Sequence, residues 1–168
     1  MRTMITRGTH RLGLATVAVA AAAIAGPALS LGSSAASTSQ HHRHFTVVSR
    51  DSEGTITPSD FGTSPVQDQQ AAEDAPVYRG AHKIGRAETV ITITRVSRND
   101  TEGMIECTVK LPGGDLFFNG ALNINDLAKG AAVPIVGGTR AYKAAAGTVI
   151  VQSSNPARTS LSFDFSTR

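Results

Sequence analysis

Two runs of strict apolar/polar alternation, joined by Pro112-Gly113-Gly114, constrain this chain more than any other feature. In residues 103–111, Ile105, Cys107, Val109 and Leu111 fall on one side and Met104, Glu106, Thr108 and Lys110 on the other. In 115–124 the pattern resumes with Leu116, Phe118, Leu122 and Ile124 together. A period of two belongs to a half-buried strand, because successive side chains leave opposite faces of a pleated ribbon. The Pro-Gly-Gly break turns the chain, so the two runs form an antiparallel hairpin.

Segments 45–49 (FTVVS) and 88–96 (ETVITITRV) are dense in β-branched residues, whose stiff χ1 suits the pleated state. Segments 131–136, 147–152 and 159–165 add further strands, the last with Leu161, Phe163 and Phe165 in one row. No 3.6-residue periodicity appears outside the first 36 residues, and 142–146 allow one helical turn at most. The chain is therefore expected to be all-β, an antiparallel sandwich or closed barrel, and closure removes the edges that such strands would expose. Residues 52–76 are rich in Ser, Asp, Gln, Ala and Pro and show no strand pattern. They are expected as a long loop over one end of the barrel.

Residues 1–36 have the build of a secretory signal peptide: a basic start with Arg2, Arg7 and Arg11, an apolar stretch from 12 to 25, then Gly26-Pro27 and small residues before position 37. Fourteen helical residues span about 21 Å, short of the bilayer's apolar core, so no stable membrane span is expected after cleavage. Three of the chain's 16 Lys+Arg lie in this leader, which leaves 13 against 13 Asp+Glu. A formally neutral domain lacks the clustered cations that nucleic-acid binding requires. The expected division is a leader at 1–36, a flexible His-rich terminus at 37–44, and one domain at 45–168, exported from the cell.

The run Ile135-Val-Gly137-Gly138-Thr-Arg140-Ala-Tyr142-Lys-Ala-Ala-Ala-Gly147-Thr-Val resembles the signature hairpin of the dirigent and allene oxide cyclase barrel superfamily, departing from it where Arg140 replaces a glycine. Residues 77–96 resemble the segment leading through that family's second strand. Residues 113–124 resemble its glycine-started strand, and 44–51 stand where its first strand falls. The resemblance implies a closed eight-stranded antiparallel β-barrel with a hydrophobic cavity, commonly trimeric. It also implies a partner that is a small hydrophobic molecule, guided through cyclisation, isomerisation or stereoselective coupling by being held in one conformation.

The family's first-strand carboxylate aligns with Ser49, which carries no charge. Asp51, two residues on and on the same strand face, is the candidate replacement, with the row Phe45, Val47, Ser49, Asp51 running from apolar to polar. Ala87, Thr89, Ile91, Ile93 and Arg95 form a second row ending in a cation. Asp51 as acid, base or cation stabiliser and Arg95 as oxyanion holder are the candidate catalytic pair, at the mouth of a cavity of at least about 300 Å³. Ser49, Tyr78, Asn119 and Tyr142 are the candidate ligand-binding residues. Cys107, between Ile105 and Val109, reads as a buried thiol rather than a nucleophile. The imidazoles of His41, His42 and His44 fall in the expected loose terminus, so no metal and no cofactor is assigned. Against the catalytic reading stands a non-catalytic extracellular barrel that binds a ligand or coats a surface, favoured by the neutral Ser49.

Overall fold

Pro112 and Gly113 make the turn between β5 (Asp100–Leu111) and β6 (Gly114–Asn123), where Leu111 pairs with Gly114. Gly114 takes a φ of +133°, and a Cβ there would stand 2.3 Å from the Thr139 carbonyl oxygen, so no other residue fits this corner. The computed structural model describes residues 40–58, 65–98 and 100–168. The leader, its cleavage site and residues 37–39 lie outside the described residues.

The other strands are β1 (His41–Ser49), β2 (Thr55–Thr57), β3 (Gln70–Arg79), β4 (His82–Ser97), β7 (Ala131–Gly138), β8 (Ala146–Asn155) and β9 (Arg158–Thr167). All pairings are antiparallel, in the order β1-β9-β8-β7-β6-β5-β4-β3-β2. A short β1–β3 ladder, Val48 with Tyr78 and Ser49 with Val77, joins the two ends of the sheet. Eight strands thus close a barrel, and β2 is a ninth lying along the N-terminal half of β3. Among the described residues, no helix is long and apolar enough to cross a membrane.

Two expectations need correction. The segment 52–76 contains two strands: β2, and the first seven residues of β3. Its strand character is hidden because residues 71–76 (AAEDAP) are all Ala, Glu, Asp or Pro, poor strand formers. Pairing with β4 along its whole length, and with β1 and β2 on the other side, outweighs that propensity. Second, His41–His44 are the first half of β1 rather than a flexible lead-in, each paired across to β9 from Thr167 to Asp164. His42 Nε2 also lies 2.6 Å from an Asp164 carboxylate oxygen.

Inward rows fill the barrel unevenly. At one end Phe45, Phe163, Phe165 and Tyr142 pack ring against ring, with centroids 5.1 Å apart for Phe45–Phe163 and 6.0 Å for Tyr142–Phe165. Phe118 reaches Phe163 edge-on at 6.2 Å. Offset and edge-to-face rings add stabilisation beyond the area they bury. The opposite end is lined by smaller residues, Ser49, Ala87, Thr89, Ile105 and Cys107 among them, and there the barrel is hollow.

Candidate functional site

The hollow end is a cavity of about 240 Å³ with mostly aliphatic walls, including Ile91, Ile105, Leu122, Val151 and Leu161. It is somewhat smaller than the expected 300 Å³, because Phe118 and Leu122 reach into it from β6. Ser49 and Asp51 both line it; Ser49 is 5% exposed.

Three ties hold Asp51. It follows β1 in a single 3-10 turn, Asp51–Glu53. Its backbone N–H donates to the Ala157 carbonyl at 3.0 Å, while the N–H of Arg50 donates to the Pro76 carbonyl at 3.0 Å. The chain is thereby bridged between the β8–β9 turn and β3. The hydroxyl of Thr159, which faces Ser49 in the β1–β9 ladder, donates to Asp51 Oδ2 at 2.8 Å. The other oxygen, Oδ1, is shut away from water and receives no N–H or hydroxyl donor.

The neighbour is Glu73, a residue absent from the sequence-based candidates. It stands on the inward row Ala71, Glu73, Ala75, Val77 of β3, in the cavity wall and in hydrogen-bonding contact with Asp51. Burial, then the charge of Asp51, then that hydrogen bond push the Glu73 carboxyl up to about 7. Like charges at close range repel, so Glu73 holds its proton more tightly than a free glutamate does, and that proton supplies the donor that Asp51 Oδ1 lacks. The signal in the sequence was a lone charge on an alternating Ala/Ala/Val row, hidden by taking the segment for a loop.

The same layer continues around the barrel as Glu73, Thr89, Cys107 and Phe118, each paired with the next. Thr89 donates its hydroxyl to Cys107 Sγ at 3.2 Å, and burial pushes that thiol up to about 12. Cys107 is therefore a neutral wall residue.

Four sequence candidates stand elsewhere. Arg95 is turned out of its row by a β-bulge: Ile93 pairs with Gly103, but Arg95 pairs with Glu102, so the alternation changes phase. Its guanidinium is 54% exposed and bridges Asp100 and Glu102 on β5. Tyr78 lies outside the barrel wall past a second irregularity at Val77/Tyr78. Its hydroxyl donates to Glu53 at 2.6 Å, and the Arg50 guanidinium stacks on its ring at 3.7 Å. Asn119 faces outward from β6, opposite in phase to Phe118. Tyr142 is buried in the ring cluster at the filled end, with the Arg43 guanidinium 5.5 Å from its centroid. Among the described residues no cluster of three or more His, Cys, Asp or Glu side chains could hold a metal ion.

No family profile and no curated protein matches the chain. Solved structures do. A protein described as a pyocyanin demethylase is 20% identical, with 71% of this chain and 98% of that one aligned at a TM-score of 0.59. An exo-specific intermolecular Diels-Alderase is 12% identical over 76% and 99% of the two chains, TM-score 0.60. A Diels-Alderase from Streptomyces koyangensis is 15% identical over 79% and 70%, TM-score 0.55. The likeness is one of fold: these proteins share the barrel architecture of this chain. The narrower likeness to dirigent proteins and allene oxide cyclases rests on the sequence motifs alone.

Proposed function

We propose that this protein is a small-molecule barrel whose Asp51–Glu73 pair moves a proton on an apolar guest held in the cavity, in the manner of an isomerase or cyclase. The observation that carries this reading is the placement of two carboxyls, Asp51 and Glu73, together in the wall of a 240 Å³ apolar hollow. Near neutral pH Glu73 holds a proton close to its release point, so the pair offers an acid with a second carboxyl beside it. Asp51 takes a proton from one atom of the guest while Glu73 gives one to another. The pair ends with the proton on the opposite partner and resets by passing it back, so no co-reactant is consumed. The aliphatic walls exclude water and hold the guest in one conformation, which contributes through orientation. The likeness to cyclase-type barrels supports this reading, as do the dirigent-like motifs. The non-catalytic alternative keeps the cavity and dispenses with the proton transfer.

The test is double-bond migration in small β,γ-unsaturated ketones and their imines, followed by NMR in D₂O. Asp51→Asn and Glu73→Gln are each expected to slow it by about 10²-fold or more. Migration at the uncatalysed rate with the native chain, alongside measurable guest binding, would leave the non-catalytic barrel as the better account. We propose in addition that the leader routes the domain out of the cell and that the mature barrel assembles as a trimer. Mass spectrometry of exported protein and its sedimentation behaviour test these two points.

A further inference from the structure

What charge the cavity accepts rests on the reading just proposed, and its walls answer the question. Among the described residues lining it there is no Arg, Lys or His; the polar groups are two carboxyls and the hydroxyls of Ser49, Thr89, Ser153 and Thr159. Thr89 and Thr159 already donate, to Cys107 and Asp51. The mouth is therefore rich in acceptors and short of donors, and Asp51 Oδ1, enclosed, has none once Glu73 gives up its proton.

The charged groups packed nearby do not relieve this. Asp74 pairs with Arg86, and Glu88 with Lys110, on the outward faces of β3, β4 and β5. Arg50, next to Asp51 in the chain, is turned away onto Glu53 and the ring of Tyr78. From inside, β1 contributes Ser49, β2 Ile56, β4 Thr89, β5 Cys107 and β9 Thr159, none of them a cation. Two carboxyls thus face a hollow with no positive charge to balance them.

We infer that the guest is a small apolar nitrogen base (an amine, imine or N-heteroaromatic) held as a cation between Asp51 and Glu73, and that carboxylic acids are excluded. A protonated nitrogen takes over the donor role that Glu73 leaves when it ionises, and brings the positive charge that the cavity lacks. A carboxylate guest loses its hydration against like charge and gains nothing in return. When the base arrives neutral, the O–H bond of Glu73 breaks, its electron pair stays on the carboxylate, and an N–H bond forms. When it arrives already charged, the pair releases its proton to solvent. The volume equals that of about eight waters, room for roughly ten heavy atoms.

Three probes of one size separate the possibilities: 2-phenylethylamine, 2-phenylethanol and phenylacetate, titrated calorimetrically into the full-length chain at pH 6 and pH 8. The amine is expected to bind at least about tenfold more tightly than the alcohol at pH 8. It is expected to bind about tenfold more weakly at pH 6, where Glu73 keeps its proton, and phenylacetate is expected to show no binding. Glu73→Gln should reduce the amine's preference to below about threefold. The comparison of probes on the native chain decides the matter even if that variant folds poorly. Alcohol or acid bound as tightly as amine overturns the nitrogen-base class while leaving a guest-binding barrel in place. No binding of any of the three overturns both.

Discussion

Glu73 keeps its proton up to about pH 7, whereas glutamate ordinarily loses it near 4.5. Because the native state binds the proton more tightly than the unfolded chain, stability is fullest below about pH 4.5 as far as this group is concerned. It declines as pH rises between 4.5 and 7, then levels off. Allowing for the partial exposure of Glu73, the decline is worth about 1–2 kcal/mol, at about 3–5 °C of melting temperature per kcal/mol for a domain of this size. Thermal melts at pH 5 and pH 7.5 check it, and Glu73→Gln should flatten the difference; an unchanged slope in that variant places the effect elsewhere. Asp51 was legible in the sequence because it continues the β1 row. Glu73 was not, since its partner sits 22 positions away and only barrel closure brings β1 and β3 together. Arg95 misled for the opposite reason: the alternation counts it inward, and a bulge costing one residue of register turns it out.

At the scale of elements, β4 to β9 were readable because each carries enough Val, Ile, Leu or Phe in alternation to reveal its buried face. β3 carries small and charged residues instead, and the same economy that hid it makes room for the hollow. The corner at Gly114 is the most sharply specified joint of the β5–β6 hairpin, and the 3-10 turn Arg140–Tyr142 packs directly over it. Arg140 itself sits at a φ of +49°, a left-handed conformation that accounts for a glycine in the dirigent-like pattern at this position. Gly114→Ala is expected to destabilise the fold by about 2–4 kcal/mol, from the forced φ together with the collision with Thr139. Urea unfolding gives the figure, and a loss below about 0.5 kcal/mol would mean the corner relaxes freely.

For the molecule as a whole, stability and the proposed guest binding draw on opposite ends of one barrel. The ring end is packed by Phe45, Tyr142, Phe163 and Phe165, the last two fully buried, and the carboxyl end gives up packing to leave space. Filling that space should therefore stabilise the fold while removing binding. Ala87, 3% exposed and in the cavity wall, is the site for it. Ala87→Leu is expected to raise the melting temperature by roughly 1–4 °C, and to weaken 2-phenylethylamine binding by at least about tenfold. Undiminished binding in that variant would put the guest somewhere other than the hollow.

Stacked rings fill one end of the barrel, the hollow lies toward the other, and both carboxyls stand in its wall. On the proposed reading a guest goes in tail first and keeps its polar head beside them, and its departure clears the same space that the next one fills.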